Sequence, residues 1–211
     1  MRFIIAITLT LAATQFALAF SLKPGDLLFQ DLNCGKLCNA IFSVTSGYGN
    51  TDVSHVGMLV SSGEVIEAIG KNVHLTPIKQ FLNRGPVMVG RLTQPYRHLI
   101  PQAINLAKSW IDEPYNYNFT PQNHDKKFYC SQLVYDAFKQ ANHNVAIFAQ
   151  DHMNFKNPQT HKFYPAWSKY FNQIHSQIPQ GHPGTNPGKM SLSPNIKIIH
   201  FYEKLSQDHE A

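Results

Sequence analysis

The chain of 211 residues carries 18 Lys and Arg against 13 Asp and Glu, a formal net charge of +5 at pH 7, with 43% hydrophobic residues and three cysteines. The basic residues are scattered, and no Lys/Arg block interleaves with aromatics, which argues against a nucleic-acid groove. Its eleven histidines stand mostly alone in polar stretches, without H-E-x-x-H or paired C-x-x-C spacing, so no metal site is expected.

Residues 1 to 19 read as a secretory signal: Arg2 gives a short positive region, Phe3 to Leu11 an apolar run, and Ala17-Leu18-Ala19 a small-residue cleavage site. No other stretch approaches membrane length. Residues 20 to 211 are therefore expected to form one exported domain, periplasmic or extracellular, with no transmembrane anchor after cleavage. A chain of this size can bury a sufficient core without disulfides or a metal.

After the Pro24-Gly25 turn, Leu27 to Phe29 predicts a short buried strand. Residues 30 to 52, rich in Gly, Asn, Ser and Thr, predict a loop with a short helix around Ala40-Ile41-Phe42. Ser54 to Val60 and Glu64 to Ile69, joined by Ser-Ser-Gly, predict an antiparallel hairpin. Thr76-Pro77 reads as the N-cap and first residue of a short helix through Leu82, followed by a strand over Pro86 to Leu92. Ile100, Ala103, Ile104, Ala107 and Ile111 repeat at helical spacing, predicting a helix over roughly 101 to 112. The alternating segment Tyr115 to Phe119 and a charged loop lead into a helix over 130 to 141. Segment 181 to 188 reads as a Gly/Pro loop, and Ile196 to Tyr202 as a last strand.

The 130–141 helix draws attention because Cys130, Leu133, Val134, Ala137, Phe138 and Ala141 share one face, which sets a cysteine in the first turn. Unpaired backbone N–H groups and the positive end of the helix dipole stabilise an anion there, the form in which a thiol attacks. An odd cysteine count leaves at least one thiol unpaired. Cys34 and Cys38, with a turn at Gly35, can form a local disulfide. That pairing would free Cys130; a bridge from Cys130 to either would remove its candidacy. In the hairpin, His55 and Glu67 come close across the two strands, and a carboxylate flanked by Ile66, Ala68 and Ile69 calls for a partner. Each residue also has a plain structural reading: a small core cysteine, a satisfied histidine, a solvent-facing glutamate. Tyr48, Tyr115 and Tyr117 are candidates for lining a substrate cleft or simply for packing.

The ordered set Gly25-Asp-Leu-Leu-Phe, His55-Val-Gly-Met-Leu-Val with Glu67, then Tyr129-Cys-Ser-Gln-Leu-Val resembles the permuted branch of the NlpC/P60 superfamily, the YiiX/YebB-like papain-fold cysteine hydrolases. Ordinary members place the cysteine helix before the histidine strands; here the order is reversed. The resemblance implies an α+β, circularly permuted papain-like fold: an antiparallel sheet or half-barrel packed against helices, one bearing the nucleophile. It implies Cys130 as nucleophile, His55 as base and then acid, Glu67 as the residue orienting the imidazole, and no cofactor. Glutamate in the third place matches the YiiX-like pattern, whereas many NlpC/P60 peptidases carry His, Asn or Gln there. The expected chemistry is acyl transfer through a thioester, on an amide such as a peptidoglycan stem peptide. A lipid acyltransferase or esterase, or a non-enzymatic ligand-binding envelope protein, are the alternatives.

Overall fold

The computed structural model describes residues 20–33, 35–42, 44–120 and 126–203. In chain order the first half contains β1 (Leu27–Gln30), α1 (Lys36–Phe42), β2 (His55–Leu59), β3 (Glu64–Ile69), β4 (Asn72–Pro77), α2 (Ile78–Leu82) and β5 (Val87–Leu92). The second half contains α3 (Ile100–Ser109), α4 (Cys130–Ala141), β6 (Asp151–His152), α5 (Pro165–Gln173), β7 (Pro183–Gly184), α6 (Pro187–Ser191) and β8 (Ile196–Tyr202). Six strands form one antiparallel sheet in the order β4-β3-β2-β1-β5-β8, and β6 pairs with β7 in a small separate ribbon. No helix among the described residues is long and apolar enough to cross a membrane.

Strand alternation divides the core into two layers. Leu27, Phe29, Val56, Met58, Ile66, Ala68 and Met88 pack with Ala103 and Ala107 of α3 and with Leu133, Val134, Ala137 and Phe138 of α4. Leu28, Leu59, Val65, Val87 and Val89 pack on the other face with Phe81 of α2 and with Phe20 and Leu22 of the leading segment. Asp26, buried in that region, is clamped by Arg91 through two 2.7 Å bonds, while the same guanidinium donates to the carbonyl of Ser21. A third cluster, Ala40, Phe155, Trp167 and Phe171, joins α1 to α5 beside the sheet.

Gly57 in β2 has a packing reason. A Cβ there would stand 2.5 Å from Val65 Cγ1 and 2.9 Å from Phe81 Cε2, so only glycine lets α2 settle on the hairpin. That close approach matters because α2 leads directly into Arg84.

The structure departs from the sequence expectation in several places, among them segment 181–188, read as a loop, which holds β7 and opens α6. Thr76 and Pro77 do not open a helix: they end β4, a strand absent from the sequence reading, and α2 starts at Ile78 with Pro77 as N-cap. The helix expected over 101–112 runs over Ile100–Ser109 and is capped at Trp110, because the chain turns back there and Asp112 donates its backbone N–H to the carbonyl of Val73. Helix α5 was not expected either. Residues 1–19, with the signal and its cleavage site, lie outside the described residues, as does Cys34; Cys38 is disulfide-bonded and Cys130 is a free thiol.

Candidate active site

Cys130 is the first residue of α4, and its N-cap, Tyr129, supplies no side-chain cap. The opening N–H groups of the helix are thus left for something else, and that of Cys130 points out of the ladder by position alone. The approach to α4 is fixed by Phe128, which stacks on Trp110 at 4.7 Å and exchanges backbone hydrogen bonds with Pro114 and Asn116. On the far side, the backbone N–H of Thr185 donates to the Tyr129 hydroxyl at 2.9 Å, and the Thr185 hydroxyl lies 3.0 Å from Ser131 Oγ. The cysteine is 7% exposed.

His55 opens β2, and Glu67 lies in β3. The observed pairs Met58 with Ile66 and Leu59 with Val65 put Glu67 across from Gly57, so His55 is its diagonal neighbour, within reach of long side chains. His55 Nε2 donates to Glu67 Oε2 at 2.6 Å. Glu67 has no exposed surface, and two further donors hold its carboxylate: the Thr76 hydroxyl on Oε1 at 2.5 Å and Arg84 Nη2 on Oε2 at 2.7 Å. The Arg84 guanidinium carbon in turn stands 4.7 Å over the Phe81 ring. Glu67 alternates with Ile66 and Ala68, so it belongs to the α2 layer, while Cys130 arrives from the α3–α4 layer. His55, at the start of β2, joins them: its ring bonds to Glu67, and it lines the same cavity as Cys130, close enough for the two charges to interact. With Nε2 committed to the carboxylate, Nδ1 is the nitrogen left for the thiol.

The electrostatics follow from this row. Burial alone would lower the His55 pKa, but its interactions with Cys130 and Glu67 outweigh it, raising it to about 9. Burial would likewise raise the Glu67 pKa; bonding to His55 and its charge, then to Arg84 and Thr76, lowers it to about 2 instead. The signs set a stability window. A carboxyl held down contributes stability that is present above about 4.5 and lost as the pH falls toward 2. An imidazole held up contributes stability that is full below about 6.5 and lost as the pH rises through 9. The gap in thermal midpoint between the parent and Glu67→Gln should therefore be widest between pH 4.5 and 6.5 and narrow on both sides. A gap that stays flat from pH 3 to 10 would contradict the charged pair. Asp136, half-buried on α4 and pushed by burial to about 6, titrates in both proteins and cancels.

Cys130 and His55 open onto a cavity of about 410 Å³. Tyr115 and Tyr117 line it; the Tyr117 hydroxyl donates to the Gly70 carbonyl at 2.6 Å, and the Tyr170 hydroxyl donates to the Tyr117 carbonyl at 2.9 Å. Burial, then the neighbouring Cys130 and tyrosines, push the Tyr115 phenol well above its usual range, so it remains a hydrogen-bond donor. Tyr48 is 47% exposed and is not part of the lining. The Gly/Pro segment contributes Gly184, Thr185, Asn186 and Pro187 to the wall. Sequence reasoning missed Thr76 and Arg84. A buried carboxylate does signal a cation in need of finding, but no spacing rule pointed to Arg84.

A family model described as the permuted papain-like amidase enzymes, YaeF/YiiX, C92 family, matches residues 21–200. The chain belongs to this family. No curated protein matches. Among solved structures, the crystal structure titled as the metalloprotein yiiX from Escherichia coli O157:H7 is similar in fold, with a TM-score of 0.67 and 23% identity, covering 86% of this chain and 98% of that one. The permuted papain-like amidase fold accounts for the chain order seen here, with the histidine strand in the first half and the cysteine helix in the second.

Proposed function

We propose that this C92-family chain is an exported cysteine amidase in which Cys130 is the nucleophile, His55 the base and then acid, and Glu67 the group that fixes the imidazole. The observation that carries this reading is the buried His55–Glu67 pair that borders, together with Cys130, a cavity large enough for a substrate. The apolar leader at residues 1 to 19 supports export.

Glu67, held ionised by Arg84 and Thr76, keeps the Nε2 proton in place and stabilises a positive imidazole, so Nδ1 can take the thiol proton and later return it. The thiolate attacks the amide carbonyl, and the oxyanion that develops meets the Cys130 N–H at the start of α4. The amine departs with the proton from His55, leaving a thioester that water, deprotonated by His55, then hydrolyses.

The yiiX structure is titled a metalloprotein, but the donors beside Cys130 do not fit a resident metal. The His55 ring already bonds to Glu67, and both oxygens of Glu67 accept hydrogen bonds. Among the described residues, no group of three His, Cys, Asp or Glu side chains stands in ligating range.

Labelling tests the base. At pH 6, iodoacetamide should alkylate Cys130 of the parent roughly a hundredfold faster than Cys130 of His55→Ala, the usual lower range for a positioned base. Equal rates, read by mass spectrometry of the Cys130 peptide, would remove His55 from the mechanism.

A further inference from the structure

Glu67 meets two cationic side chains through one oxygen. His55 Nε2 and Arg84 Nη2 both bond to Oε2, at 2.6 and 2.7 Å, while the Thr76 hydroxyl takes Oε1. The guanidinium is therefore end-on. Its buried Nε has no hydrogen-bond partner among the described residues, and the two-point contact that makes an Arg–carboxylate pair strongest is not formed. The Arg84 charge stands instead behind the oxygen that the imidazole uses. The loop that carries it is fixed: Gln30, fully buried and opposite His55 in the β1–β2 ladder, donates through Nε2 to the carbonyls of Phe81 and Gly85 on either side of Arg84. At Gly85, with φ of 155°, a Cβ would stand 2.3 Å from the Asp31 carbonyl oxygen. Near pH 9, where His55 titrates, a carboxylate needs no cation to stay ionised, since even an unassisted one loses its proton near 4.5. What Arg84 still does at that pH is repel a second positive charge on its own acceptor.

We propose that Arg84 is a positioning residue that keeps His55 able to give up its proton, by neutralising part of the Glu67 charge from the α2 face of the sheet. This rests on the amidase reading and adds a requirement to its second half. With the acyl group on Cys130, water adds to the thioester carbonyl carbon as its proton passes to the neutral His55 ring. The C–S bond then breaks, the carboxylic acid departs, and the sulfur keeps the bonding pair as a thiolate beside the imidazolium. An imidazole facing the whole Glu67 charge stays protonated and cannot take that proton. Arg84 thus matters little for attack and much for release. On the cavity side His55 faces Cys130, the phenols of Tyr115 and Tyr129, His152 and the Asp151–Lys189 pair, none of which donates to Glu67. These groups are common to the proteins compared below, apart from Cys130, which is alanine on both sides of the titration.

Two measurements on the full mature protein test this. In a Cys130→Ala background, where no thiol shares the titration, Arg84→Met should make the His55 ring hold its proton about tenfold more tightly, a rise of about one pH unit in its Cε1–H NMR titration. With Cys130 in place, p-nitrophenyl acetate acylates the thiolate whatever the natural substrate, and p-nitrophenolate leaves. At pH 7 the burst rate of Arg84→Met should stay within about twofold of the parent, while the steady rate falls roughly threefold to tenfold and acetyl-Cys130 accumulates in the mass spectrum. Arg84→Lys, which keeps the charge, should restore both readouts in large part. Should Arg84→Met fail to fold, Arg84→Gln, which keeps a donor without the charge, is read in the same way. A loss of folded protein lowers burst amplitude and steady rate together and moves no titration. A His55 ring whose titration stays put or moves down, or burst and steady rates slowed alike, would overturn the role given to Arg84 and leave the amidase reading standing. No acetyl-Cys130 in parent or variant, together with equal alkylation of Cys130 in the parent and His55→Ala, would overturn both.

Discussion

Cys130→Ala should lower kcat/KM on the best amide substrate by about 10⁴-fold or more, the scale on which removing one member of a coupled nucleophilic unit acts. The folded state should tolerate the change. Cys130 packs within the α3–α4 layer, and alanine keeps the helix-forming backbone while deleting one sulfur, so the thermal midpoint should fall by only a few degrees. Cys130→Ser should be as inactive, since a hydroxyl in the same place ionises far less readily than a thiol and is a poorer nucleophile. Steady-state kinetics beside a thermal melt separate the two effects. A Cys130→Ala protein that retains a hundredth of parental activity would show that another group forms the covalent bond.

The second large effect belongs to Glu67. Glu67→Ala removes the acceptor for three donors at once, the His55 ring, the Thr76 hydroxyl and Arg84, and leaves a cavity under α2. Breaking a buried ion pair from one side costs about 3–5 kcal/mol, and the lower end is expected because Arg84 is a quarter exposed and can turn toward water. Urea unfolding should show this as a lowered midpoint with an unchanged slope. Glu67→Gln keeps the volume and part of the bonding, so it should lose less stability yet still lose roughly 10²- to 10⁴-fold in kcat/KM, because a neutral amide neither stabilises a positive imidazole nor fixes its Nε2 proton. If Glu67→Gln instead loses stability and activity in proportion, Glu67 serves the fold alone.

Much of this was open to reading in the residues. The apolar face from Cys130 to Ala141 matches α4 end to end, and the hairpin carrying His55 and Glu67 runs as the alternation in β2 and β3 requires. These segments carry strong period signals, and their chemistry-bearing residues interrupt those periods visibly. Thr76 misled for a physical reason: a threonine before proline is a good helix opener, and nothing local reveals that its hydroxyl is needed by a carboxylate nine residues earlier. The counter-signal was the alternation of Val73 and Leu75 with Asn72, His74 and Thr76. In α5, Trp167, Tyr170, Phe171 and Ile174 stand at helical spacing after Pro165, a readable pattern masked by the Pro- and Gly-rich surroundings. Arg84 was beyond reach, since its partner is chosen by where α2 lands on the sheet, which depends on Gly57.

The imidazole that links two separately packed layers has a bearing on when the thiol becomes dangerous. Before the sheet closes, sulfur and ring belong to distant parts of the chain, and the cysteine is an ordinary, slow thiol among solvent-facing groups. On the proposed mechanism the thiol meets its base only when α4 docks against the finished hairpin. The alkylation rate of Cys130 should then report how many molecules have completed their assembly.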